Sequence, residues 1–136
     1  MASTLKAILR VESSGLSTTS ATHEISAEAY ERIEVTVPAA AGGADGTLTV
    51  DVQPGGAGQV RLVCITASAY PTAADGSAEL TYSVDGGDAV DLDAPLLLVG
   101  GGIRTLLGNV QQVVFTNASA AEVDVVIVVG RDATPP

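Results

Sequence analysis

Few residues in this chain can do chemistry, and their spacing decides how far each one goes. His23, the single histidine, lies in the polar stretch SATHEIS. A histidine base needs a Ser or Cys nucleophile and an orienting acid converging on it, and no GxSxG nucleophile elbow is present. One His and one Cys are too few nitrogen and sulfur ligands for zinc. Cys64, inside VRLVCITA, reads as a small buried hydrophobe, and as the only cysteine it can form no disulfide within the chain.

Asp85, Asp88, Asp91 and Asp93 crowd one hairpin, and oxygen-rich loops are what calcium prefers. The frame lacks the bidentate Glu at the twelfth position of a calcium loop. If Val90 and Leu92 face the core, Asp91 and Asp93 are the solvent face of the same strand; calcium binding is the alternative. Gly100-Gly101-Gly102 lacks the Lys-Ser/Thr and the following helix of a phosphate loop, and Ile103-Arg104-Thr105 reads as a continuing strand. Asn117-Ala118-Ser119 matches a glycosylation acceptor, but without a secretory signal it reads as a polar turn. Sugar-cleaving carboxylate pairs normally sit beside aromatic platforms, and the chain has no Trp. The expectation is therefore a protein that is not an enzyme and carries no cofactor.

Composition narrows the partners. The net charge is −10 and six Lys and Arg residues are scattered along 136 residues. So sparse a positive set cannot neutralise a run of phosphates or an anionic bilayer, so neither nucleic acid nor membrane is an expected partner. Charged residues make up 16% of the chain, against about 25% in an average soluble domain. Either the surface is built of Ala, Gly, Ser and Thr, or part of its apolar excess is covered by another protein. Lys6 and Arg10 interrupt what would have to be the apolar core of a signal peptide, and no apolar run approaches transmembrane length. A cytoplasmic origin, with release by lysis as the way out, is the expectation.

The elements that must position these residues are strands. Leu5, Ala7, Leu9 and Val11 alternate with polar residues except at Ile8, with a short helix capped by Ser3 as the competitor. Ser13–Ser20 reads as a loop, and Ser26–Arg32 as a loop or single turn leading into a strand. Period-2 alternation then recurs around Ile33–Val37, Leu48–Val52, Leu80–Val84 and Val90–Leu92, while Gln59–Ala67 is apolar on nearly both faces, as a central strand is. Pro54-Gly55-Gly56 and Asp85-Gly86-Gly87-Asp88 are turns. Leu96–Val99, Ile103–Leu107, Val110–Thr116 and Glu122–Gly130 complete about nine or ten short strands without crossover helices. That pattern is an all-β, single-domain β-sandwich or jelly roll. We expect an N-terminal strand and loop over 1–20, the sandwich over 21–132 and a mobile tail over 133–136.

The last strand carries the assembly hint. Val123, Val125, Val126, Ile127, Val128 and Val129 are interrupted only by Asp124, so both faces need cover. One cover is the sandwich core; a neighbouring subunit is the expected second, with these six residues as the interface and the arm through about Ser20 reaching onto a neighbour.

Four phrases extend the reading: IEVTVPAAAGG, VQPGGAGQVRLVCITAS, LTYSVDGGDAVDL with its LLLVGGG continuation, and VVFTNASAAEVDVVIVVGRDA, together spanning Ile33 to Ala133. In their alternating strands and Gly/Ala-rich turns they resemble small β-rich structural proteins of tailed bacteriophages. The resemblance implies a non-enzymatic virion component of the capsid decoration or cement type. Such a protein bridges subunits of a major capsid protein, often as a trimer at a symmetry axis. The alternative it leaves is a tail, baseplate or fibre-associated sandwich that binds a host glycan or another tail protein.

Overall fold

The computed structural model describes residues 3–27, 29–52 and 60–131. The turn at Pro54-Gly55-Gly56, Gln59 and the 133–136 tail lie outside them. Among the described residues the chain forms β1 (Ser3–Ser13), β2 (Leu16–Ala27), β3 (Ala29–Val37), β4 (Gly46–Asp51), β5 (Val60–Ala67), β6 (Leu80–Val84), β7 (Val90–Asp91), β8 (Leu96–Val99), α1 (Ile103–Leu107), β9 (Gln112–Asn117) and β10 (Val123–Arg131). No helix among them is long and apolar enough to cross a membrane.

Two antiparallel sheets, in the orders β3-β10-β5-β8 and β4-β9-β6-β7, pack their apolar faces together as a sandwich. Strand alternation explains which side chains meet. Val123, Val125, Ile127 and Val129 of β10 join Val63 and Ile65 of β5 in the core. Opposite them lie Val113 and Phe115 of β9 and Leu80 and Tyr82 of β6. Tyr82 and Phe115 are directly opposed across β6 and β9, so the two buried aromatic residues form one cross-strand pair against the Val and Ile of the other sheet.

Turn chemistry fixes the corners. Asp85 and Gly86 have φ of 51° and 76°, and the Gly87 amide donates to the Val84 carbonyl at 2.9 Å. That is a type I′ turn, which starts the chain back from β6 within the five-residue connection to β7. At Gly46 a Cβ would stand 1.8 Å from the Pro38 carbonyl oxygen, so no other residue fits where the chain crosses from β3 to β4.

Three expectations are corrected. Ser13–Ser20 is not a loop: β1 turns at Ser14 and Gly15, and β2 runs back from Leu16 to Ala27 in register with it. The N-terminal unit is therefore a hairpin extending past Ser20, and Ser26–Arg32 is strand at both ends, with residue 28 outside the described residues. Ile103–Leu107 is one helical turn instead of a strand, because Gly100, at φ 97°, ends β8 and the Thr105 and Leu106 amides both donate to Gly102. Ile103, Leu106 and Leu107 have the i, i+3, i+4 spacing of a helix face, and Ile103 is buried under it.

Candidate interaction surface

The β3-β10-β5-β8 sheet is apolar on its outer face as well, and its second cover is the chain's own β1–β2 hairpin. Leu5, Ala7 and Ile25 of the hairpin pack with Leu62 and Cys64 of β5, Leu97 and Val99 of β8 and Val128 of β10. Pairing puts Leu5 opposite Ile25, Ala7 opposite His23, Leu9 opposite Ala21 and Val11 opposite Thr19, so all eight share one face. The root of that face is buried: Ala7 is 9% and Ile25 7% exposed. Its outer half is not, with Leu9 at 55% and Val11 at 56%; on the opposite face Ile8 is 63% exposed. Where root gives way to tip, Ala7, Leu9, Ala21, His23, Leu97, Val99 and Gly100 line an open apolar groove of about 470 Å³.

This arrangement places most of the interface expected on β10 inside the chain's own fold. β10 is hydrogen-bonded to β3 on one side and β5 on the other, so neither backbone edge is available. Val123, Val125, Ile127 and Val129 are at most 2% exposed and face the opposite sheet. Only Val126 and Val128 lie on the outer face, both half-buried, and Val128 is under the hairpin. The residues that replace them, Leu9, Val11, Leu97 and Val99, stood in the sequence as apolar alternation in the first strand and as part of the apolar run 96–99. What the sequence could not reveal is that these distant segments share one surface.

The polar residues singled out in the sequence are dispersed over the fold. His23 is exposed on the groove wall, opposite Ala7. Cys64 is half-buried beneath the hairpin, and burial pushes its thiol pKa up from 9.0, away from reactivity. Asp85 Oδ1 accepts the Gln111 and Gln112 amides, each at 2.9 Å. Asp88, Asp91 and Asp93 are exposed, and no group of three or more His, Cys, Asp or Glu is arranged to hold a metal among the described residues. Val90 departs from the core-facing expectation: it is 44% exposed on the terminal strand, while Leu92 is buried.

At the opposite end, Asn117 is fully buried; its Nδ2 donates to the Pro38 and Ala121 carbonyls and its Oδ1 accepts the Ser119 amide. That side chain closes the β9–β10 turn from inside and leaves no amide for a glycan. Arg131, 6% exposed, donates to the carbonyls of Asn109 and Val110 at 3.1 and 2.5 Å. Burial pulls its pKa down while Glu31 and Asp85 pull it up. These bonds hold the corner where buried Val110 takes a φ of 52°, a costly conformation for a β-branched residue.

No family model, no curated protein and no solved structure matches the chain. The class that fold and surface define is an all-β sandwich with an appended apolar hairpin.

Proposed function

We propose that this chain is a non-enzymatic structural protein of a virion, a decoration or cement subunit that stabilises a shell by bridging copies of a major capsid protein. The observation that carries the reading is the division of the β1–β2 hairpin into a root buried on its own sheet and a tip with Ile8, Leu9 and Val11 exposed. A tip fixed to a sandwich by its root is pre-organised for insertion between neighbouring coat subunits, so little ordering entropy opposes docking. Stabilisation then follows mass action: binding the assembled shell and not the separated subunits contributes about 2.7 kcal/mol per site at a hundredfold excess over Kd. The net charge of −10 suits docking on a basic patch of the coat.

The test is protein mass spectrometry of purified particles, with and without the gene. The expected result is a copy number comparable to that of the coat protein, and earlier heat rupture of particles lacking it. A chain confined to the tail fraction, or absent from particles, would overturn the reading.

A further inference from the structure

We propose that β3 is a self-pairing edge: two copies of this chain join antiparallel through β3 about a two-fold axis at Ile33, fusing their sheets into one of eight strands. Among the described residues, of the four strands that end the two sheets of the sandwich, β7 has two residues, β8 four, β4 six and β3 nine. Folded proteins keep such edges short, bulged or interrupted by proline, because a long regular one is a template for another strand. β3 has none of these defences: it contains no proline, and its register with β10 runs from Val37 to Ala29 without a shift. Its two outer-face charges, Arg32 and Glu34, are self-complementary, while Glu31 lies on the inner row within the field of Arg131 and would face Val35 of the second copy.

Arg32 and Glu34 sit two residues apart on the outer face, with Arg32 Nη2 2.9 Å from Glu34 Oε1 and both side chains more than half exposed. In an antiparallel pair centred on Ile33, Arg32 of each copy lies directly opposite Glu34 of the other, and the two ion pairs become a four-membered ring. Centring the axis one residue along, on Glu34, would put two carboxylates face to face. On the inner row, Ile33 meets its own symmetry mate, and the half-buried Ile33 and Val35 at the core margin gain cover. Charge therefore selects the register, while backbone bonds and apolar burial supply the affinity.

The two-fold of an antiparallel strand pair stands perpendicular to the sheet, so outer faces coincide and both hairpins project from the same side of the dimer. The inference goes beyond the proposed function and does not depend on the shell. A monomer would remove it and leave docking through the hairpin standing.

Sedimentation equilibrium of the full chain from nanomolar to high micromolar concentration tests it. We expect a monomer–dimer equilibrium in which Arg32→Glu or Glu34→Arg alone, each creating two like-charge contacts per dimer, raises Kd by about tenfold. The double variant Arg32→Glu/Glu34→Arg, which restores the ring with its signs exchanged, returns Kd to near the starting value. A merely structural role for the pair would not give that rescue. Register is read independently in a Cys64→Ala background: Ile33→Cys should oxidise to a disulfide dimer, since directly opposed Cα atoms lie about 4.5–5.5 Å apart. Val35→Cys should not, because the two-fold separates its copies by about 13 Å along the strands. A chain that stays monomeric at all concentrations, that forms trimers, that shows no charge-swap rescue, or that cross-links at position 35 in preference to 33 overturns the proposal. If Ile33→Cys fails to fold by circular dichroism, the charge-reversal series decides alone.

Discussion

The two faces of the β3-β10-β5-β8 sheet are built from the same residue types and live in different surroundings. On the inner face Val125, Ile127 and Val129 are at most 1% exposed, sealed by a second sheet that meets them strand over strand. On the outer face Val126 and Val128 are half-buried, and the only cover among the described residues is a two-stranded ribbon. Cover by a full sheet makes a face part of the folding core. A ribbon, with its root buried and its tip bare, makes the outer face a mounting for something that reaches outward.

The strongest way to break that contrast is a charge on the sealed face. Val125→Asp would bury a carboxylate at a fully enclosed position without a partner, a penalty of several kcal/mol against a total stability of about 5–15 kcal/mol. The expected outcome is a chain without a cooperative thermal transition. A folded Val125→Asp protein would mean that the two sheets do not close over β10 as described.

Next in size is release of the ribbon. Ile25→Ser removes the larger of the two fully buried apolar anchors of the hairpin and should cost about 2 kcal/mol, felt as lifting of the ribbon more than as loss of the sandwich. Cys64 reports it directly. In the intact chain its half-buried thiol should react slowly with a disulfide reagent, and in Ile25→Ser much faster, while the main thermal transition keeps its cooperativity. Equal labelling rates would show that the hairpin does not shield the outer face.

How much of this was legible in the sequence follows from the same contrast. Alternation and turn residues located the strands of the sandwich, because a sealed inner face forces Val, Ile and Leu onto every second position, as in Ile33–Val37 and Leu80–Val84. β2 escaped because LSTTSATHEISA has only Ile25 and its small neighbours to pack, and Ser and Thr read as loop without β1 beside them. α1 escaped because five residues are too few for a helical period to outweigh the strands around it. The apolar second face of the last strand was read correctly as needing cover, but which segment supplies that cover depends on a contact between the two ends of the chain. Position along β10 likewise could not say that Val126 and Val128 alone would face outward, since a run apolar at every residue carries no phase.

Alkaline pH separates the faces more gently. Burial raises the pKa of Cys64 beneath the ribbon and of Tyr82 in the sealed core, from 9.0 and 10.0. In the unfolded chain both groups lose their protons at the ordinary values, so their contribution to stability is level below pH 9.0 and falls as pH rises through the raised values. Cys64→Ala should remove the earlier part of that fall and leave the part that begins near 10.0 from Tyr82. Melting temperatures across this limb check it. A decline that Cys64→Ala leaves unaltered would assign the whole effect to the inner face.

The smallest effect completes the comparison one residue from the largest. Val126 neighbours Val125 on β10 but points outward, opposite Glu34 and Thr66 on the flanking strands. There a carboxylate keeps contact with water, and its main cost is repulsion from Glu34, worth less than about 1 kcal/mol at an exposed site. Val126→Asp should therefore fold and melt within a few degrees of the parent, while its neighbour Val125→Asp does not fold at all. Because that repulsion is screened by salt, the small deficit should shrink as ionic strength rises. A Val126→Asp chain as crippled as Val125→Asp, or one whose deficit ignores salt, would show that the outer face beside β3 is as tightly covered as the inner one.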